Sequence, residues 1–323
     1  MTSLEICAGA GGQAIGLESA GFAHQALVEW DANCCETLRF NRTQWNVLQE
    51  DVAQFHGAKF QGVELLAGGV PCPPFSVAGK QLGAKDERDL FPHALRLVDE
   101  IRPQAVMLEN VKGFLDPRFK GYRERLFTTI KKLGYVPLIK LINASDHGVP
   151  QLRPRVVLIA LLPRYLDHFE WPKADKSSAP TVGQALKDLV EEGRWAGAEE
   201  WIRNANTIAP TIVGGSKKHG GPDLGPTRAK VAWAQLGVDA GIVALEPPNE
   251  SYVGMPRLTI RMVARLQGFP DNWHFTGLKT TAYRQVGNAF PPPVAKVMGQ
   301  SISNALERFS KKRFTLFSAG PTL

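Results

Sequence analysis

The first half of the chain alternates short apolar runs with stretches that have helical spacing. Apolar runs of strand length occupy residues 3–8, 24–31, 63–69, 105–111 and 155–162. Between them, residues 9–22, 32–41, 91–102 and 122–134 place apolar residues at helical intervals. Strands that alternate with helices predict a doubly wound, mostly parallel α/β sheet that binds ligands at the carboxyl ends of its strands.

This pattern breaks after about residue 170. Residues 170–255 are rich in Gly, Pro, Asn and Thr, and helical spacing returns only at 259–269 and 291–309. The change predicts a catalytic domain formed by residues 1–170 and 280–323, with a smaller, irregular domain at 171–279. We expect the terminal helix to pack back on the first domain.

Composition narrows the class of protein. The 323 residues are 44% hydrophobic and 21% charged, as in an ordinary globular protein. No apolar run is long enough for a membrane span, and the start has no secretory pattern, so we expect a cytoplasmic protein. The net charge of +7 indicates a polyanionic partner such as nucleic acid, although many basic proteins bind none. The four cysteines have no C-x-x-C spacing, which disfavours disulfides and a metal site.

The glycine cluster "AGAGG" (8–12) follows a predicted strand and opens a predicted helix. Clustered glycines let a ligand approach the backbone and the helix amides, although a tight turn would use them as well. The next strand ends in "VEWD", where Glu29 could accept bonds from ribose hydroxyls and Trp30 could cover an adenine. Asp51 could read the adenine amino group. These residues predict a nucleoside cofactor.

Cys72 lies in "GGVPCPPFS" (68–76), a stretch that can be neither a helix nor a central strand. Pro71 and Pro73 stiffen the chain around the cysteine, and the two preceding glycines allow a sharp exit from a strand. This arrangement favours a thiol held at the ligand-binding edge of the sheet. The alternative is a structural cysteine, which is more often found in an apolar run.

The ordered motifs resemble those of bacterial-type DNA (cytosine-5) methyltransferases. The series is "EICAGAGG", "VEWD", "GGVPCPPFSVAGKQ", "RDLF", "LENV", "QLRPRVVLIAL", "RLTIRMVARLQGFP" and "YRQVGNAFPPPV", and it spans the chain except residues 170–255. The resemblance implies a Rossmann-like fold that transfers a methyl group from S-adenosylmethionine to carbon 5 of a flipped-out cytosine. It also implies a target-recognition role for 171–279.

The same resemblance assigns the reaction to four side chains. Cys72 would be the nucleophile that adds to carbon 6 of cytosine, because the adduct makes carbon 5 nucleophilic. Glu109 would donate a proton or a strong hydrogen bond to ring N3. Arg153 would contact the cytosine carbonyl oxygen, and Arg155 would support the loop and phosphates. Taken alone, each of these charged residues could equally be solvated at the surface.

The resemblance further assigns cofactor and DNA contacts. The cofactor would be held by Cys7, Ala8, Gly9, Gly11, Glu29, Trp30, Asp51, Val52, Gly287 and Asn288. Many family members have phenylalanine where this chain has Cys7, so one face of the adenine pocket is less aromatic. The DNA contacts would be Ser76, Lys80, Gln81 and Arg88 in a closing loop, and Thr211, Lys217, Lys218 and Arg228 in the variable region. We expect a monomer that acts on double-stranded DNA, with a cognate restriction endonuclease or as a solitary modification enzyme.

Three other classes remain as alternatives. A transfer-RNA cytosine methyltransferase shares the catalytic motifs, but its usual Cys-Phe-Thr element is missing because no cysteine follows Cys72. A catalytically dead DNA-binding homologue is disfavoured by the intact Cys72 and Glu109. A nicotinamide oxidoreductase requires neither "PCPPFS" nor "ENV".

Overall fold

The computed structural model describes residues 1–70, 89–177, 179–215 and 220–318, with side chains described to residue 310. Its centre is one seven-stranded sheet in the order β3-β2-β1-β4-β5-β7-β6. The strands are β1 (Thr2–Ile6), β2 (Ala23–Glu29), β3 (Val47–Gln49), β4 (Leu65–Gly69), β5 (Ala105–Val111), β6 (Val136–Asn143) and β7 (Pro154–Leu161). Strands β1 to β5 pair in parallel, whereas β7 runs antiparallel to both of its neighbours.

Eleven α-helices are present in the described part of the chain. They are α1 (Gly12–Ser19), α2 (Ala32–Asn41), α3 (Phe91–Ile101), α4 (Lys120–Lys132), α5 (Pro163–Leu166), α6 (Val182–Glu191), α7 (Ala198–Asn204), α8 (Thr227–Ala234), α9 (Ile260–Leu266), α10 (Lys279–Asn288) and α11 (Pro292–Ser318). None of these helices is both long and apolar enough to cross a bilayer.

Helices cover both faces of the sheet. On one face, α3 and α4 bury apolar side chains against the central strands, as Leu97 and Ile130 do. On the other face, Leu17 of α1 packs with Val294 and Met298 of α11. The doubly wound, mostly parallel fold predicted from the alternating pattern is therefore confirmed, and the terminal helix packs on the first half of the chain as expected.

The region after residue 170 is more regular than its composition indicated. It contains α6, α7 and α8, and α6 begins with a capping box in which the Thr181 and Gln184 side chains each bond the other residue's backbone. One buried cluster joins this region to the sheet side of the molecule: Trp233 and Leu186 share it with Leu38 of α2. The division into residues 1–170 with 280–323 and 171–279 stays a prediction.

Candidate active site at the carboxyl ends of the strands

The glycine loop between β1 and α1 has a backbone conformation that residues with a side chain would adopt only with strain. Gly9 and Gly11 have φ of 54° and 90°, the left-handed region that favours glycine. A Cβ atom on Gly11 would lie 2.8 Å from both Leu38 Cδ2 and Trp273 Cζ2. No side chain caps α1, whose N-cap is Gly11, so no side chain competes with an anionic ligand group for the amides of its first turn. Ala8 is buried just before this turn.

Glu29, at the end of β2, holds this loop through its carboxylate. Oε2 accepts from the Gly9 amide at 2.8 Å, and Oε1 accepts from the Trp30 and Asp31 amides at 2.9 and 2.8 Å. Burial raises the pKa of the Glu29 carboxyl, while the three amides act in the opposite direction. Two carboxylate oxygens offer about four acceptor positions, so acceptor capacity remains on Oε2 for a ribose hydroxyl.

The predicted adenine contacts lie at neighbouring strand ends. Trp30 is 67% exposed directly after β2, and the Glu50 amide donates to the Glu29 carbonyl at 3.1 Å, which keeps Asp51 near the end of β2. Asp51 is exposed, whereas Val52 is buried in the core beside it. Cys7 has a φ of 51°, and burial with nearby carboxylates raises the pKa of its thiol, which therefore stays protonated at neutral pH.

Gly287 and Asn288 contact residues 209–215, which we name the recognition segment. A Cβ atom on Gly287 would lie 2.5 Å from Gly214 Cα, and the Asn288 Nδ2 donates to the Gly215 carbonyl at 3.1 Å. The glycine loop approaches the adjacent residues, because a Cβ atom on Gly12 would lie 3.1 Å from the Ala289 Cβ. Residues 287–290, named the C-terminal segment, thus lie between the recognition segment and the glycine loop.

Glu109 and Arg155 form a buried ion pair across two central strands. Glu109 of β5 is opposite Val157 of β7, and Arg155 is opposite Val111, so the two charged side chains are diagonal neighbours on one face. Arg155 Nε lies 2.7 Å from Glu109 Oε1, with the two side chains 13% and 12% exposed. Burial raises the pKa of the Glu109 carboxyl, and the guanidinium groups of Arg155 and Arg153 offset only part of that increase.

The end of β4 lies against this carboxyl group. Gly69 pairs with Glu109 in the parallel register, and a Cβ atom on Gly69 would be 3.5 Å from Glu109 Oε2. The Asn110 Nδ2 donates to the Val70 carbonyl at 3.1 Å in a buried contact. Glu109 and Asn110 therefore fix the chain two residues before Cys72, which itself lies outside the described residues.

Arg153 is placed differently from its predicted role. Its side chain is fully buried, and its terminal nitrogens donate to three backbone carbonyls, those of Ile212, Gly287 and Ala289, at 2.8, 2.7 and 2.9 Å. A guanidinium that bonds the protein's own backbone in this way has no exposed donor for a base. The assignment of the cytosine contact to Arg153 stays a prediction, and Arg155 beside Glu109 is the arginine whose side chain is partly exposed.

The predicted DNA contacts are only partly described. Ser76, Lys80, Gln81, Arg88, Lys217 and Lys218 lie outside the described residues. Thr211 of the recognition segment donates its hydroxyl to the Leu152 carbonyl, and Arg228 is exposed on α8. The assignment of these two residues to DNA stays a prediction.

Sequence reasoning missed two buried polar residues, Asn110 and Gln151. Asn110 follows the catalytic candidate in "LENV", and Gln151 begins "QLRPR". The Gln151 Nε2 donates to the Gln267 Oε1 at 2.6 Å, and its Oε1 accepts from the Ile212 amide at 2.9 Å. Both are polar residues next to predicted strands, and this position could have marked them as candidates. Their hydrogen-bond partners are distant in the chain and cannot be read from one sequence.

Comparisons of the sequence with a family model and with individual proteins give the same family. Residues 1–304 match the model of the family described as C-5 cytosine-specific DNA methylase. The chain is 57% identical over 309 residues to the Type II methyltransferase M.NaeI of Lentzea aerocolonigenes, covering 94% of this chain and 75% of that protein. It is 53% identical over 310 residues to the Type II methyltransferase M.NgoMIV of Neisseria gonorrhoeae, covering 95% and 98%.

The fold is also similar to a solved structure of low sequence identity. A Spodoptera frugiperda DNMT2 mutant aligns with a TM-score of 0.65 at 18% identity, covering 94% of this chain and 99% of that one. This likeness supports the fold of the chain.

Proposed function

Because the chain belongs to the family of C-5 cytosine-specific DNA methylases, we propose that the Glu109–Arg155 pair at the end of β4 is its cytosine-binding centre. The enzyme transfers a methyl group to carbon 5 of cytosine in DNA. The observation that carries the assignment of residues is the buried ion pair beside Gly69, three residues before Cys72.

In this proposal, the Cys72 thiolate forms a bond to carbon 6 of a cytosine that has left the duplex stack. The electrons of the 5,6 double bond move to carbon 5, and negative charge develops toward ring N3. Carbon 5 then forms a bond to the donated methyl group, whose bond to the donor's sulfur breaks as that sulfur leaves as a thioether. The proton on carbon 5 then leaves to a base, the sulfur–carbon 6 bond breaks, and the thiolate is released as the aromatic ring forms again.

Glu109 is suited to the charge that develops at N3. Its burial favours the protonated carboxyl, which can donate a proton or a strong hydrogen bond to that nitrogen. Arg155 fixes the carboxyl through Nε, and its Nη1 donates to the Pro154 carbonyl at 2.9 Å, so Nη2 is the nitrogen that would serve the neighbouring carbonyl oxygen of the base. This division assigns the base contact to Arg155, in place of the buried Arg153.

The residues around the glycine loop fit a nucleoside cofactor with an amino-acid tail. Glu29 keeps acceptor capacity for a ribose hydroxyl, Trp30 has an exposed ring, and the uncapped start of α1 offers amides to a carboxylate. Asp51 and Val52 would line the adenine edge, and Asn288 would close the site. S-adenosylmethionine, when bound there, supplies the electrophilic methyl group that carbon 5 attacks.

DNA recognition would fall to residues 171–279, with Thr211 and Arg228 as candidate contacts. We infer double-stranded DNA as the substrate and a restriction–modification system as the context, since the Type II names of M.NaeI and M.NgoMIV belong to that class. The protein would act as a monomer in the bacterial cytoplasm, where the genome lies.

Expression in a bacterium that lacks its own cytosine methylation tests the function directly. Bisulfite sequencing of the host DNA should reveal one short sequence in which a cytosine is protected. Cys72→Ser should abolish that protection while S-adenosylhomocysteine binding persists, because the thiol acts on cytosine alone. Cys34→Ser, in α2, is the matched control and should keep protection. Unmodified DNA from the unmutated enzyme would refute the proposal.

A duplex with 5-fluorocytosine at the mapped site tests the covalent step. The fluorine cannot leave as a proton does, so the Cys72 adduct should persist and shift the protein in a denaturing gel. Turnover on cytosine without any adduct on 5-fluorocytosine would contradict the mechanism. A transfer RNA substrate serves as a second arm, and methylation of it in place of DNA would favour the alternative class.

A further inference from the structure

The residues that lead into β7 bond three parts of the molecule that are distant in sequence. Gln151 and Arg153, two residues apart, both point inward and are fully buried. Their partners lie in the recognition segment, in the C-terminal segment and at the end of α9. Neither side chain has a role in the proposed chemistry.

The recognition segment is bonded to Gln151 and Arg153 through both the backbone amide and the backbone carbonyl of one residue, Ile212. The Ile212 amide donates to Gln151 Oε1 at 2.9 Å, and the Ile212 carbonyl accepts from Arg153 Nη1 at 2.8 Å. Three residues earlier, Ala209 exchanges backbone bonds with Pro150 and Leu152 at 2.9 and 2.7 Å. The side chains of Gln151 and Arg153 therefore fix the position of Ile212, next to the strand-like backbone pairing of Ala209.

The C-terminal segment is held by the other end of the same guanidinium. Arg153 Nη2 donates to the Gly287 and Ala289 carbonyls at 2.7 and 2.9 Å. The Ala289 carbonyl also accepts from Gln267 Nε2 at 2.7 Å, and Gln267 in turn accepts from Gln151. One planar group thus joins the segment proposed to read DNA to the segment proposed to close the cofactor site.

The chemistry of this contact requires arginine. No carboxylate among the described residues lies within salt-bridge distance of Arg153, and its Nε has no hydrogen-bond partner there, so the three backbone carbonyls are the groups that offset part of the cost of burying the charge. Guanidinium nitrogens diverge in a rigid fork, which can reach carbonyls on two segments at once. Lysine has its donors on a single nitrogen, so it cannot place separate nitrogens on the two segments as Nη1 and Nη2 do.

We propose that Arg153 is a positioning residue that couples cofactor binding to DNA binding, by holding the recognition segment and the C-terminal segment in one mutual arrangement. The inference rests on the proposed function of those two segments. A ligand that orders either segment also orders the other through the shared guanidinium, and each ligand must then raise the affinity of its counterpart by the same factor.

The test measures that factor with S-adenosylhomocysteine and a duplex containing the site mapped by bisulfite sequencing. The dissociation constant of each ligand is measured with and without the other. For the unmutated enzyme we expect a ratio of at least about 5-fold, the lower end of typical coupling. Arg153→Lys should bring the ratio close to 1 and weaken S-adenosylhomocysteine binding even without DNA.

A milder variant and a matched control keep the test decisive if Arg153→Lys does not fold. Tyr283 of α10 donates its hydroxyl to the Val213 carbonyl at 3.1 Å, so Tyr283→Phe loosens the recognition segment with the loss of one oxygen atom and should lower the ratio. Tyr135→Phe makes the same change at a buried bond to the Pro103 carbonyl, far from both segments. It should reduce stability without changing the ratio.

Each outcome decides one question. A ratio of 1 in the unmutated enzyme, or an unchanged ratio in both Arg153→Lys and Tyr283→Phe, overturns the coupling. Loss of turnover in Arg153→Lys with normal S-adenosylhomocysteine affinity and a normal ratio would instead restore Arg153 as a base contact. If no methylated site can be mapped, it is the proposed function that has failed, before coupling is measured.

Discussion

Gly287→Ala is the substitution for which the structure gives the clearest expected magnitude. Gly287 lies within α10, where alanine would normally stabilise the helix by about 1 kcal/mol. Its added Cβ would lie 2.5 Å from Gly214 Cα and 2.6 Å from Gly214 N, whereas ordinary contact begins at 3.4 Å. The recognition segment must therefore withdraw by close to 1 Å, because backbone atoms cannot rotate away.

This displacement has an effect on stability and a larger one on turnover. Overpacking of this kind costs about 1–3 kcal/mol, so the net loss after the helix gain is about 0–2 kcal/mol. A misplacement of about 1 Å can reduce catalysis by about 100-fold, and the bonds from Arg153 to Ile212 and Gly287 are stretched by it. We expect kcat/KM on the mapped duplex to fall by about 10- to 100-fold, with a small decrease in Tm.

Steady-state methylation of the mapped duplex and thermal unfolding are the two measurements. Gly121→Ala in α4 is the control, because its nearest neighbour would be Arg125 Nη1 at an ordinary 3.7 Å. That variant should keep full activity with an unchanged or slightly higher Tm. If Gly287→Ala has a higher Tm and the same kcat/KM as the unmutated enzyme, the recognition segment and the C-terminal segment are not in contact. That result would refute the predicted displacement.

Three further predictions concern the site. The upward pKa shift of Glu109 means that the protonated carboxyl is present below that pKa and lost above it. Glu109→Gln should lower the rate of adduct formation with 5-fluorocytosine duplex by about 100-fold or more at low pH. The ratio of the unmutated rate to the Glu109→Gln rate should decline as pH rises through that pKa, because ionisation of the Cys72 thiol changes both rates alike. Glu29→Gln places an amide N–H group where backbone amides donate, so calorimetry should give weaker S-adenosylhomocysteine binding, and unchanged affinity would argue against the assigned site. Asn110→Ala removes the bond to the Val70 carbonyl, which costs about 1–3 kcal/mol if that group is left unpaired; adduct formation should slow while S-adenosylhomocysteine affinity stays normal, and a loss of both would indicate a general folding defect.

Much of the fold could be predicted because central parallel strands are apolar along their whole length. The runs that became β4 and β5 are mostly of this kind, and β7, although antiparallel to its neighbours, is buried along most of its length as well. Strand β6 was missed because it is an edge strand with mostly half-buried side chains, so its apolar signal is diluted by residues such as Lys140. Strand β3 has only three residues, too few to show a period.

The site was predictable where a residue's role depends on its own strand end. Glu29 and Glu109 lie near the carboxyl ends of recognisable runs, and the parallel direction of β2 and β5 brings them to the same edge of the sheet. The two arginines of "QLRPR" could not be distinguished in this way, because one faces Glu109 and the other faces segments 59 and 134 residues further along the chain. That difference depends on tertiary packing alone.

The packing of α11 against α1 also determines when the protein can become functional during its synthesis. A Cβ atom on Gly16 would lie 2.5 Å from the Ala295 Cβ, so the first helix of the chain has one of the last as its immediate neighbour. A nascent chain that has already formed β1 and the glycine loop still lacks this support until α11 leaves the ribosome. Because the two helices are neighbours in space, a circular permutation that places α11 before β1 would be compatible with the fold. It would also make these helices close in the order of synthesis.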